Sequence, residues 1–320
     1  MSLYSGTVTA GEVVALPQAL LDVYSLEIEH NAMPIMRFEE FAEKKTDLEK
    51  EAGERVIFTT YNNLDRGGQL LEHENLSEKN MSASQKGITV TEFGNAVGVR
   101  EKLIQLSYDD ALKEAALLLG RDYAVVNDMM CRDALYQDTN IYYCGGRATR
   151  ALMQGAVDYM DIESVRIAVE LLQTNNAPKY MSDYYVCFCA PHQVAYIKRD
   201  PDWIAANNYA NTRALFTGEL GRWEDVIFIG TTMAPNGAAA TSDPGYEAAL
   251  KDAATAGIAN ADVYRAVICG ENAFGRASAL PVEMRDNGVQ DYGRKHGLAW
   301  YAIMGAKLLE ENNAVIVESV

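Results

Sequence analysis

The chain has 320 residues, 48% hydrophobic and 23% charged, with a formal net charge of −17. That acidity, with no Lys/Arg cluster interleaved with aromatics, argues against a sequence-specific nucleic-acid binder, whose affinity rests on phosphate contacts. No run approaches the ~18 apolar residues of a membrane span, and the opening MSLYSGTVTAGEVVALPQALL has no basic residue before its apolar stretch, so neither a membrane anchor nor a secretory signal is expected.

Length suggests two domains, or one with large insertions, and synthesis in the cytoplasm is expected. The five cysteines, Cys131, Cys144, Cys187, Cys189 and Cys269, are an odd number in mostly apolar surroundings. They read as small core hydrophobes, not as a disulfide framework.

Leu16 to Phe41 reads as two helical stretches broken at Pro34, and Phe38 to Glu54 as a charged, exposed segment with Gly53 as a C-cap. The opening is therefore arm-like. Arg55 to Tyr61 (RVIFTTY) and Ile88 to Phe93 (ITVTEF) are strand-like, rich in β-branched and aromatic residues. Asn62 to Gly87, between them, is a polar excursion of about 26 residues. Compact domains rarely carry a structureless loop beyond ~12–15 residues unless it is functional or disordered. An arm that finds its partners on a neighbouring subunit accounts for it best.

A long amphipathic helix is expected from Tyr108 to Gln137. Ser107 can cap it, and Asp109 and Asp110 suit its first turn. Its stripe runs Tyr108, Leu112, Ala115, Leu119, Tyr123, Val126, Met130, Ala134, in steps of four and three. Thirty such residues span about 45 Å.

Tyr143 to Gly155 is a crossover. Asp161 opens a second helix that ends before Pro178, and Tyr184 to Ala190 (YYVCFCA) is a buried strand. Val194 to Lys198 starts a helix, and Gly218 to Gly221 is a glycine turn before the strand Val226 to Thr232. Met233 to Gly245 is a loop of small residues, Ala248 to Ala261 partly helical, and Val263 to Ala273 a strand and turn. Leu298 to Val320 is apolar and closes with the strand AVIVESV. No internal repeat or low-complexity tract interrupts this order, which is α+β or mixed α/β.

Chemistry-bearing motifs are weak. There is no GxxxxGK[ST] and no GxGxxG after a strand, and Gly145–Gly146 reads as a turn. Cys187, Cys189 and His192 form C-x-C-x-x-H, but without a fourth ligand or the usual two-residue spacer they read as core residues. His30, His73, His192 and His296 lie in no catalytic frame, with His73 exposed and His296 on a loop. Asp109–Asp110 has a capping explanation, and Glu39–Glu40 and Glu310–Glu311 read as solvated helix faces. No catalytic, cofactor-binding or metal residue is assigned, and no cofactor is expected.

The element order and several strings resemble the major capsid proteins of tailed bacteriophages with the Hong Kong 97 fold, most closely the N-four-like podophage branch. The resemblance runs from about Phe38 to the end of the chain. Arg55 to Phe93 resembles the family's extended β-hairpin loop, and Tyr108 to Gln137 its spine helix. CAPHQVAYIKRDPDW at Cys189 to Trp203, GELGRWEDVIFIGTT at Gly218 to Thr232 and YRAVICGENAFG at Tyr264 to Gly275 resemble segments of its axial domain and of the way back to the shell. The resemblance implies an N-terminal arm at 1–54, the extended loop at 55–100, a peripheral domain with the spine helix at 101–142, an axial domain at 143–285, and a return to the peripheral domain at 286–320.

It further implies a non-enzymatic virion subunit that self-assembles as pentamers and hexamers into an icosahedral shell around double-stranded DNA. Scaffolding, portal and decoration proteins would be partners, DNA contact would be weak and non-specific, and no membrane would be involved. No cleaved scaffolding helix is evident at the N-terminus, and Lys79 and Lys86 read as solvated, not as crosslinking groups. Two alternatives stay open here: an encapsulin-like nanocompartment shell, and a soluble α/β enzyme with a lid at 62–87.

Overall fold

Alternating apolar residues build the strand at the centre of the molecule. The computed structural model describes residues 36–45, 55–61, 78, 80–102, 111–137, 140–154, 157–201, 203, 219–235 and 263–320. All five residues of β6 (Tyr185–Cys189) are buried. Tyr185, Cys187 and Cys189 face one core with Val165, Ala168 and Leu172 of α2 (Ile162–Thr174). Val186 and Phe188 face a second core with Phe38, Cys131 and Leu135. A strand covered on both faces needs no polar alternation, which explains its continuous apolar run.

Five strands flank β6. These are β5 (Ile141–Tyr143), β7 (Glu219–Trp223), β8 (Val226–Gly230), β9 (Tyr264–Cys269) and β12 (Ala314–Ser319). The sheet order is β5-β12-β9-β6-β8-β7. β6 and β8 run parallel, as do β5 and β12, while β9 is antiparallel to both β6 and β12. The short helix α3 (Pro191–Ile197) follows β6, with Pro191 in its first turn, where a missing N–H costs nothing.

A second sheet holds β1 (Glu43–Lys45), β4 (Thr91–Arg100), β10 (Phe274–Gln290) and β11 (Lys295–Leu308) in the order β1-β10-β11-β4. β10 and β11 form a long hairpin whose turn places Asp291, Tyr292 and Gly293 at positive φ. A separate two-stranded ribbon pairs β2 (Arg55–Tyr61) with β3 (Ala83–Thr89).

The helix α1 (Ala111–Leu135) has 25 residues and is about 37 Å long. Ala115, Leu119 and Tyr123 pack on Met284, Leu298, Trp300 and Met304 of the four-stranded sheet. Cys131 and Leu135, near its other end, pack under the six-stranded sheet. Asp122 accepts hydrogen bonds from Trp300 Nε1 at 2.8 Å and Asn95 Nδ2 at 2.9 Å, fixing the rotation of the helix on its sheet.

Several expectations coincide with the structure. β2 has the anticipated bounds, Asp161 caps α2, and β6, β8, β9 and β12 fall within their anticipated runs. Asp161 Oδ1 accepts from Ser164 N at 2.8 Å. Asp161→Ala is expected to lower stability by about 1 kcal/mol, read from the unfolding midpoint in denaturant.

Other expectations are corrected. Ile88 to Phe93 is not one strand: β3 begins at Ala83, and after Val90 the chain changes sheets into β4. Gly218 to Gly221 is not simply a turn, since Glu219–Trp223 forms the edge strand β7 with an irregularity between Glu219 and Gly221. His296 lies in β11, paired with Val289, and not on a loop. Phe38 to Glu54 is not uniformly exposed, because Phe38 and Phe41 are buried in the second core. The helical stretches within 16–35, Gly53, Ser107 to Asp110, Ala248 to Ala261, and most of the polar excursion lie outside the described residues.

Candidate assembly surface

The ribbon β2–β3 is the first element to consider. Val56, Phe58 and Ile88 on one face of its base pack with Ala277 of β10 and Leu309. Lys45 Nζ sits 4.4 Å from the centre of the Phe58 ring. Gly305 lets β11 approach the junction of β3 and β4, since a Cβ there would lie 2.4 Å from the Thr89 carbonyl oxygen. On the opposite face of the base Ile57 is 49% exposed, and farther out Tyr61 is 64% and Met81 71% exposed. Among the described residues, the hairpin's apolar packing is concentrated at its base, and its outer apolar side chains face solvent. An isolated two-stranded ribbon is marginal in water, so such an element gains order by lying on another surface.

On the four-stranded sheet, the face turned away from α1 carries a shallow groove of about 490 Å³. Ala96, Gly98, Gly297 and Ala299 form its floor, with Arg285 and Lys295 beside them. These small residues alternate with Val97, Val99 and Leu298, which turn toward the helix. Period-2 alternation thus leaves a low floor on one side of the sheet and a core on the other.

A short segment, 36–45, is tied down by buried polar groups. Asp128 Oδ1 accepts from the backbone N–H groups of Arg37 at 2.9 Å and Phe38 at 2.8 Å. Asn127 Nδ2 donates to Glu39 at 2.7 Å, and the Arg276 guanidinium pairs with the same carboxylate. Glu39 is therefore a buried ion-pair partner and not part of a solvated helix face.

Burial pushes the Asp128 carboxyl above its ordinary value of 3.8, opposed by the backbone N–H groups and reinforced by the nearby Glu39 charge. A raised folded-state value means that this contribution to stability is fully present below the unfolded value and is lost as pH rises through the folded one. Asp128→Asn is thus expected to flatten the fall in stability as pH rises above the ordinary carboxylate value of 3.8. Asp128→Ala, which strands two N–H groups, should cost about 1–3 kcal/mol. Denaturant midpoints across that pH range check both.

A third buried carboxylate, Glu318 of β12, is fully enclosed and pairs with Arg150 and with Arg265, whose Nε lies 2.9 Å away. Asp158 nearby is held by Arg147 Nε at 2.9 Å. Gly145, at φ 72°, lets the chain turn over that carboxylate, since a Cβ there would come 2.2 Å from Asp158 Oδ1. Neither buried carboxylate was singled out by sequence reasoning. The available signal for Glu318 was its place in AVIVESV, directly after a continuous apolar run and on the strand face of Ala314 and Ile316.

Cys187 and Cys189 lie side by side in the α2-facing core, and burial pushes the Cys187 thiol up. His192 sits on α3 with its ring stacked on Tyr264 at 4.3 Å. Among the described residues, no group of three or more His, Cys, Asp or Glu side chains is placed to hold a metal ion. His296 Nε2 lies 3.5 Å from Glu101, while His30 and His73 fall outside the described residues. Glu310 and Glu311 flank a short 3-10 turn that leads into β12.

A family model described as phage capsid protein matches residues 153–315, which take in the helices α2 and α3 and the strands β6 to β11. No curated protein matches the chain. Among solved structures, a chain of the cyanophage Pam1 capsid aligns with a TM-score of 0.69 at 17% identity, covering 100% of this chain and 96% of that one. The capsid of Ralstonia phage GP4 gives 0.66 at 16% identity, covering 100% and 94%. The capsid of Helicobacter pylori bacteriophage KHP30 gives 0.66 at 12% identity, covering 100% and 95%. At such identities the structural likeness speaks for the fold, which is the Hong Kong 97 type. With more than half of its length matched by the family model, the chain belongs to the phage capsid protein family and is a subunit of the virion shell, not an enzyme.

Proposed function

We propose that this subunit builds an icosahedral shell of pentamers and hexamers around double-stranded DNA, with the β2–β3 ribbon of each copy lying on an adjacent copy. The observation that carries this reading is the hairpin itself, packed by one face of its base and presenting exposed apolar side chains at Ile57 on the other face and at Tyr61 and Met81 farther out. The groove floored by Ala96, Gly98, Gly297 and Ala299 offers a flat, low surface of the kind an extended strand can cross. Head-to-tail contacts between two different, complementary patches of identical subunits close into rings when the rotation allows it.

Within this reading, the four-stranded sheet with the first part of α1 is the peripheral domain. The six-stranded sheet with α2 and α3 is the axial domain, so β12 belongs with the axial domain and β11 with the peripheral one. The arm ahead of Met36 lengthens the same interface. Scaffolding, portal and decoration proteins act as partners, assembly takes place in the host cytoplasm, and the subunit belongs with the N-four-like podophage branch. The net charge of −17 keeps contact with packaged DNA weak.

Negative-stain electron microscopy with light scattering on the purified chain tests the proposal. Uniform closed particles, or rings of five and six, are expected. A monomer or dimer that stays small on concentration and with scaffold supplied overturns it. Tight, salt-dependent binding of the isolated subunit to duplex DNA would contradict the proposed weak contact.

A further inference from the structure

The two sheets are joined covalently by short turns, Gly270–Ala273 between β9 and β10 and Leu309–Asn313 between β11 and β12, and they share α1. The ten residues 36–45 add a third connection of a different kind. Toward the six-stranded sheet, Phe38 is wholly buried and stacks on Phe188 of β6 with ring centres 4.3 Å apart. Phe41 meets the same ring edge-on at 5.7 Å, and Tyr180 Oη donates to the Phe41 carbonyl at 2.9 Å. Toward the four-stranded sheet, β1 pairs in parallel with Gly275 to Ala277 of β10. Between these ends, Glu39 binds Arg276 of β10 and Asn127 of α1, and Asp128 of α1 holds the Arg37 and Phe38 amides.

We propose that residues 36–45 form a latch that fixes the angle between the two sheets, and that its release lets one subunit adopt more than one curvature. The parts are suited to two states. The aromatic end docks by burial, which is strong but non-directional. The Glu39–Arg276 pair is directional and buried, so it registers one alignment of the segment on β10. A short segment that grips two rigid layers sets their relative rotation, because packed layers shift between discrete arrangements and do not deform continuously. The consequence for shells, a subunit able to fit both fivefold and sixfold surroundings, rests on the proposed function.

The test is a distance measurement between the two sheets. All five native cysteines are buried, so Met181→Cys beside the six-stranded sheet and Tyr292→Cys at the β10–β11 turn can be spin-labelled selectively. Labelled subunits are diluted tenfold into unlabelled ones, and pulsed electron resonance reads the distance distribution. Before assembly, one narrow distance is expected with the latch intact. The distribution should at least double in width with Glu39→Gln and widen further with Phe38→Ala, with shells of mixed diameter replacing a single size.

Deuterium exchange at residues 36–45 is followed in the same samples. Unchanged widths in variants whose latch amides exchange faster overturn the proposal. Amides that exchange no faster overturn it too, since these ties would not be what holds the segment. If Phe38→Ala does not fold, Glu39→Gln alone decides. A failure of the shell reading is distinguishable, because it appears as absence of particles from the unsubstituted chain whatever the label distances.

Discussion

Replacing residues 62–82 with a two-residue Asn-Gly turn is expected to give a folded subunit that no longer closes into shells. Tyr61 pairs with Ala83 in the ribbon, so a turn of this kind joins strand ends that already face each other. The base of the hairpin, with Val56, Phe58 and Ile88 in their core, is left untouched. Secondary structure by circular dichroism should therefore stay close to that of the full chain, while scattering and microscopy show small oligomers. The argument is one of missing partner surface. Apolar side chains on a ribbon that packs at its base gain their burial from a neighbour, and at roughly 25 cal/mol per Å² a few hundred Å² per contact amounts to several kcal/mol. Multiplied around a ring, that loss abolishes closure. Normal particles from the shortened chain would show that the segment 62–82 is not what joins subunits.

Glu318→Ala is expected to be the most damaging single substitution within the subunit. The carboxylate is fully enclosed and faces two guanidinium groups, Arg150 and Arg265. Removing it leaves both cations partly buried with their shared anion gone, and breaking a buried pair in this way costs about 3–5 kcal/mol. Glu318→Gln keeps the shape and one acceptor, so its cost should be smaller. Thermal unfolding of the unassembled subunits should rank the unsubstituted chain first, Gln second and Ala third. If Ala and Gln unfold together near the unsubstituted chain, the buried ion pair contributes nothing to holding β12 in its sheet.

The parts of the fold legible in the sequence are those in which a single local rule decides. Asp161 caps a helix whose apolar face follows it directly. YYVCFCA is too uniformly apolar for anything but a strand covered on both faces. The step pattern along α1 names its main face, yet it misses Asn127, Asp128 and Arg132, which are buried too. The reason is tertiary: α1 is covered by one sheet along its first part and by the other near its end, so its buried face turns and widens. Polar residues on that second face are satisfied by chain segments far away in sequence.

The long hairpin β10–β11 escaped for a different reason. Register shifts between Ser278 and Glu283 and between Asp286 and Val289 break the two-residue period. Pro281 and Asn287–Gly288 sit among them and read locally as strand breakers. Glu39 looked solvated because its neighbours are charged, and only the arrival of Arg276, some 237 positions away, gives it a buried partner. The assembly surface was legible as a polar excursion between two strands. Which apolar side chains it presents became visible only when the register of the ribbon was known.

The place of β12 carries a consequence for timing. It is the last strand in the chain order of its sheet, yet it lies between β5 and β9 and not at an edge. β5 touches this sheet through β12, so until Ala314 to Ser319 have been made, residues 141–143 have no strand to join and β9 shows an open side. At about 5–20 residues per second, the stretch from Cys189 to Ala314 takes roughly 6–25 s to synthesise. Throughout that interval the nascent subunit holds an incomplete sheet and lacks Glu318, the anion that gathers Arg150 and Arg265. A copy still being translated is therefore a poor building block, and shell growth draws on finished chains.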